Sequence, residues 1–111
     1  MTDKNDESPS EFVADVEGIG QFLFAKRTMR LDIKAAVELR RLTEGVLMDE
    51  YSMTFMQAIA DLKVLTLDGP KDYRADELDD LDPYNDRHHA AILLIWGALR
   101  EKERSFRRAR A

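Results

Sequence analysis

The chain has no cysteine. Disulfides and thiolate metal sites are therefore excluded, and nothing ties the protein to an oxidising compartment. It also lacks a long hydrophobic run. The nearest approach, Ala90 to Leu99, is far shorter than the roughly 20 residues needed to cross a bilayer. Met1 to Ser10 is acidic and polar, with no basic-then-apolar leader. Internal repeats and low-complexity segments are missing as well. A soluble protein of a cytoplasm, with no membrane partner, is the expectation.

What is present suits one domain. A chain of 111 residues supports a single modest core, and 44% hydrophobic content is ordinary for a globular protein. The 35% of charged residues gives a well-solvated surface. The net charge of −5 is unevenly spread. Residues 1 to 17 carry six acids against Lys4, and Asp76 to Asp86 adds Glu77, Asp79, Asp80 and Asp82. From Arg100 onward the sign reverses, with six basic residues against Glu101 and Glu103. Four of the arginines near the end could meet phosphates. The acidic remainder of the chain argues against nucleic acid as a partner.

Residues 18 to 45 organise the chain. Glycines at 18 and 20 precede Phe22 and Phe24, which alternate with Gln21, Leu23 and Ala25 in the period of a half-buried strand. Upstream, Phe12, Ala14 and Val16 alternate with Val13, Asp15 and Glu17, so a hairpin is predicted between about Phe12 and Arg27. Near Thr28 the period changes. Leu31, Ala35, Leu39, Leu42 and Val46 lie on one helical stripe, with Thr28 as N-cap, Asp32 in the first turn and Gly45 as stop.

A second helix is expected over 53–64, capped by Ser52 or Thr54, with Phe55, Ala58, Ile59 and Leu62 inside and Gln57, Asp61 and Lys63 outside. Residues 64–67 read equally as helix end or strand. Residues 71–82 read as an acidic loop, with one helical turn near Ala75 to Leu78. Asp82 and Pro83 then cap a last helix from Tyr84 to Phe106, whose stripe is Ile92, Ile95, Trp96, Leu99 and Phe106. The fold class is α+β: a mainly helical small domain of about three helices with an N-terminal β-hairpin. Its boundaries are a disordered acidic tail over 1–11, one domain over 12–106 and a basic tail over 107–111. The common core should hold Leu31, Leu39, Leu42, Phe55, Ile59, Leu62, Ile92, Ile95, Trp96 and Leu99. The stripe from Ile92 to Phe106 is long enough that self-association through the last helix is a further expectation.

Catalytic chemistry is not visible. His88 and His89 are adjacent, so on a helix they point about 100° apart and cannot chelate one ion; they read as solvent-facing or capping residues. The acids from Asp76 to Asp82 lack the central glycine and closing glutamate of a calcium loop. Gly18-Ile-Gly20 is too short to cradle phosphate. No enzyme, cofactor or metal is expected. Methionine is adaptable and frequent at promiscuous binding surfaces, and Met48, Met53 and Met56 cluster in the sequence. With Trp96 and Phe106 they are the candidate partner-binding residues.

The run Gly20 to Phe24, then Arg27-Thr28-Met29-Arg30 and Leu42-Thr43-Glu44-Gly45, resembles small tail assembly proteins of tailed bacteriophages. So do Leu62 to Thr66, Leu81-Asp82-Pro83 and the ending Ala98 to Glu103 through Ser105-Phe106. The likeness spans roughly residues 12 to 106 and rests on the order and spacing of these motifs. It implies a tail assembly chaperone: a non-catalytic protein of the host cytoplasm that binds the tape measure protein, or another tail protein, before the tail tube polymerises. Two other classes fit the same composition. One is a structural virion component, such as a tail-completion or head–tail connector protein; the other is a small acidic regulatory binding protein.

Overall fold

The computed structural model describes residues 10–44, 46, 48–82 and 85–110. Residues 1–9 of the expected acidic tail, the stop at Gly45 and the helix start at Pro83 and Tyr84 lie outside the described residues, while Glu11, expected in that tail, opens the first strand. Among those described, three α-helices pack with a three-stranded antiparallel sheet that opens on the predicted hairpin.

Strands β1 (Glu11–Val16) and β2 (Gly20–Ala25) pair Phe12 with Phe24 and Ala14 with Phe22. The period of two puts Phe12, Ala14, Val16, Phe22 and Phe24 on one buried face. Phe22 and Phe24 stack at 5.7 Å, and Phe12 meets Phe24 at 5.6 Å. The turn depends on Gly18, whose φ of 81° an L side chain rarely adopts.

Helix α1 (Met29–Thr43) starts at Thr28, whose hydroxyl accepts from the Leu31 N–H at 3.2 Å. It stops at Glu44, which takes the left-handed conformation with φ 50°. That conformation costs a non-glycine residue about 1–2 kcal/mol. Helix α2 (Glu50–Leu65) begins three residues earlier than the sequence reading placed it. Its cap is Asp49 rather than Ser52 or Thr54, because the carboxylate accepts from the Ser52 N–H at 2.7 Å and faces the positive end of the macrodipole. The Ser52 backbone hydrogen bond holds the Asp49 carboxyl below its ordinary range.

The ambiguity at 64–67 resolves into both readings. Helix α2 runs through Leu65, and β3 (Thr66–Asp68) follows at once, pairing antiparallel with β2. Gly69 makes this possible, since a Cβ there would lie 2.7 Å from the Phe22 ring. Short 3-10 turns at Lys71–Tyr73 and Leu78–Asp80 replace the helical turn expected near Ala75 to Leu78. Helix α3 (Asp86–Arg110) is capped by Asn85, whose side-chain oxygen accepts from the Arg87 N–H at 2.9 Å. The cap is therefore not Asp82. The helix also continues past Phe106 through Arg110, so residues 107–110 extend it rather than forming a separate tail.

The core is where the sheet, α2 and α3 meet. Phe22, Phe24, Leu62, Leu65, Ile95 and Leu99 are its largest fully buried side chains, and Ile92 joins them. Leu31, Phe55, Ile59 and Trp96 pack at its margin. Leu39 and Leu42 do not belong to it: both are half-buried, because α1 packs on α2 rather than on the sheet. Helix α2 is consequently buried on two faces, with Ala58, Leu62 and Leu65 toward the core and Ala60 opposite them. Glu38 ties the two helices electrostatically, pairing with Arg41 and, at 3.5 Å, with Lys63 of α2.

Leu65→Ala should lower stability by about 2–5 kcal/mol, whereas Ile33→Ala on the outer face of α1 should change it by less than about 0.5 kcal/mol. Urea denaturation followed by circular dichroism measures both. The Arg41 hydrogen bond, aided by the Lys63 charge, holds the Glu38 carboxyl below its ordinary range despite the opposing effect of burial. A depressed folded-state pKa means that this contribution is full above the unfolded value and is lost as pH falls through the folded one. The stability gap between wild type and Glu38→Gln should therefore be constant near neutrality and close below about pH 4.3.

Candidate functional site

The residue that positions the site is Asp61, which the sequence reading put on the outer face of α2. It is 1% exposed. A carboxylate survives there because both oxygens are engaged. Arg27 approaches Oδ2 at 3.3 Å and Oδ1 at 3.4 Å, the Trp96 indole N–H donates to Oδ2 at 2.9 Å, and Gln57 donates to Oδ1 at 3.1 Å. The available signal was a lone acid in the otherwise uncharged run Phe55 to Leu62.

Arg27 sits just past β2 and divides its fork among three acids. Besides Asp61 it donates to Glu103 of α3 at 3.0 Å and to Asp32 of α1 at 2.9 Å. Arg100 supplies a second cation to Glu103 at 3.0 Å. Burial opposes the charge on Arg27, but the hydrogen bonds to Glu103 and Asp61 outweigh it and raise the guanidinium above its ordinary value. One cluster thus joins the strand, all three helices and the single tryptophan.

The cluster holds Trp96 half-buried at the edge of an open groove of about 510 Å³. Glu50, Met53, Thr54 and Gln57 of α2 line one wall, at the spacing that puts residues on one helical face. Met48, from the connection before α2, and Trp96, from the middle of α3, complete it. The lining combines adaptable apolar surface from two methionines and the indole with hydrogen-bonding groups from Gln57 and Thr54. Such a groove can take one or two apolar side chains of a partner and orient them by polar contacts at the rim. Of its described lining residues, Glu50 alone is ionisable.

The five candidate residues do not form one surface. Met48, Met53 and Trp96 meet in the groove, while Met56 is half-buried outside its lining. Phe106 belongs elsewhere: it packs edge-on against Phe12 at 5.0 Å, with the Lys26 ammonium 4.6 Å from its ring centre. It lines a separate cleft of about 470 Å³ with Lys26, Arg100 and Arg107.

The histidines are neither simply solvent-facing nor caps. His88 Nδ1 lies 3.0 Å from the Tyr73 hydroxyl, and His89 stacks on Phe55 at 4.2 Å with the Tyr51 hydroxyl 3.2 Å from Nε2. They hold the 71–82 loop and the start of α2 against α3. Among the described residues, no group of three or more His, Asp or Glu could hold a metal ion. No helix is long and apolar enough to cross a membrane among them.

Removing the cation should expose the cost of the buried acid. Arg27→Met is expected to destabilise the protein by about 3–5 kcal/mol, because the buried Asp61 loses its cationic partner. The double variant Arg27→Met/Asp61→Asn should lose less than the sum of the two single losses. Denaturation of the three variants, read through the emission of Trp96, tests this coupling. No protein-family model, no curated protein and no solved structure significantly matches this chain.

Proposed function

We propose that this protein is a non-catalytic binding protein whose groove between α2 and α3 holds an apolar segment of a larger partner. The observation that carries this reading is the convergence of Met48, Met53 and Trp96 on one open groove, with the indole fixed from behind by Asp61. Tryptophan in such a position is the residue type most often found at the energetic centre of a protein interface. A helical segment presenting side chains at i and i+3 or i+4 suits the groove.

The biological role we propose is tail assembly chaperone of a tailed bacteriophage, acting in the host cytoplasm on the tape measure protein. Its support is the order and spacing of the motifs from Gly20 to Phe106, independent of the groove. A well-solvated chain of net charge −5 is suited to keeping an apolar, helix-rich partner dispersed. The reading involves no cofactor.

Co-expression with the tape measure protein should raise that partner's soluble yield. Titrating a tape measure segment should shift the emission of Trp96, the single tryptophan of the chain. Met53→Asp should weaken the interaction by about tenfold or more, equivalent to about 1.4 kcal/mol, without altering the circular dichroism spectrum. Raising salt should slow association with little effect on affinity. Incorporation at fixed copy number in finished virions, without any effect on tape measure solubility, would instead make the protein a structural component of the particle.

A further inference from the structure

Helix α1 carries a second apolar stripe, on the side away from α2. Met29, Ile33 and Val37 follow one another at four-residue intervals and are 77%, 59% and 64% exposed. Exposed Ala36 lies beside them. Single exposed apolar residues are ordinary, but three in helical register form a continuous strip about 12 Å long. The opposite side of the helix is already occupied, since Ala35 is buried and Leu31, Leu39 and Leu42 are half-buried. The helix is thereby seated on one side, while its outer face is exposed among the described residues.

The charges of α1 beside this strip are mainly cationic, and the exposed acid on its other flank, Asp32, is paired with Arg27. Arg30 and Lys34 flank it one turn apart, and Arg40 follows Val37. All three are exposed, and none has an acidic partner among the described residues. The acids of α1 are already engaged, Asp32 by Arg27 and Glu38 by Arg41 and Lys63. A cationic, apolar face thus stands on a chain whose net charge is −5.

From this we infer that the outer face of α1 docks an acidic amphipathic helix of a partner protein. Apolar side chains of that helix would cover Met29, Ile33 and Val37, and its flanking carboxylates would meet Arg30, Lys34 and Arg40. A second copy is a poorer occupant of the same face, because symmetric pairing of α1 would set these cations near their own counterparts. An anionic bilayer is poorer too, since the chain is acidic overall and the strip has no aromatic anchor. Two turns of helix bury less than a standard interface, so the contact is weak and adds to others rather than acting alone. The face shares no residue with the Met48–Trp96 groove and stands independently of the function proposed for it.

The test uses the full chain and a fluorescent synthetic helical peptide with leucines at i, i+3 and i+4 spacing and glutamates on its flanks. The control peptide has lysine in place of each glutamate. Anisotropy should show the glutamate peptide binding about tenfold or more tightly than the lysine peptide. Ile33→Ser/Val37→Ser should weaken it by about tenfold or more, and Arg30→Glu/Lys34→Glu should reverse the preference between the peptides. All four substitutions are at exposed positions, and circular dichroism confirms that the fold is kept. Met53→Asp, which disables the groove, should leave in place both the preference for the glutamate peptide and its dependence on Ile33 and Val37. Equal binding of both peptides, or none, would overturn the proposal. So would concentration-dependent sedimentation of the chain alone that Ile33→Ser abolishes, which would make a second copy the occupant. Binding to phosphatidylserine vesicles through Ile33, without peptide binding, would also overturn it.

Discussion

The contact between Arg27 and Asp61 is the constraint on which the rest of this structure depends. A carboxylate at 1% exposure is tolerable only if every lone pair that water would have served finds another donor. Here the donors come from distant parts of the chain: Arg27 just past the hairpin, Gln57 one turn back on α2, and Trp96 on α3. Misplacing any of these elements would leave a buried charge short of partners. Apolar packing is less demanding, because alternative arrangements of leucine and phenylalanine can bury similar area. The polar cluster therefore selects one arrangement of helices around the core that apolar packing stabilises.

That selection reaches the groove. Trp96 would be a mobile amphipathic side chain at the edge of the core without the hydrogen bond to Asp61. With it, the indole is tethered to α2, whose Met53 and Gln57 line the same groove. Gln57 serves both sides, donating inward to Asp61 and lining the groove outward. Rigid aromatic surface beside flexible thioethers combines low ordering cost with adaptability, which suits recognition of apolar segments of varied shape. The outer face of α1 has a different logic, a helix seated on α2 that offers apolar and cationic surface with no covering element among the described residues.

Helix α2 is the other hub. With one face to the core and another to α1, it resembles an internal helix more than an amphipathic surface one. This explains why the small residues Ala58 and Ala60 are completely buried. Glu38 and Lys63 bind α1 to it at the surface. The layer order is sheet and α3 on one side of α2, with α1 on the other.

Elements with a strong local signal were legible from residue order alone. The alternation at Phe12 to Val16 and Phe22 to Phe24, the Thr28 cap and the stripes of all three helices follow from backbone periodicity and local hydrogen bonding, which neighbouring residues decide. The caps at Asp49 and Asn85 were misplaced because several polar residues compete at a helix start and geometry chooses among them. The placement of Leu39 and Leu42 in the common core failed for another reason: periodicity gives the face of a helix, not what covers it. Periodicity likewise marks the exposed strip of Met29, Ile33 and Val37 only once the other side of α1 is known to be buried. Asp61 was the deepest miss. A single acid at a helical position reads as solvent-facing until Arg27, 34 residues away in sequence, is known to lie against it. The sequence by itself determined the elements and their apolar faces, because those are local. Only the tertiary structure decided which carboxylate is buried, where Trp96 points and which methionines share its groove, because each depends on contacts between residues far apart in the chain.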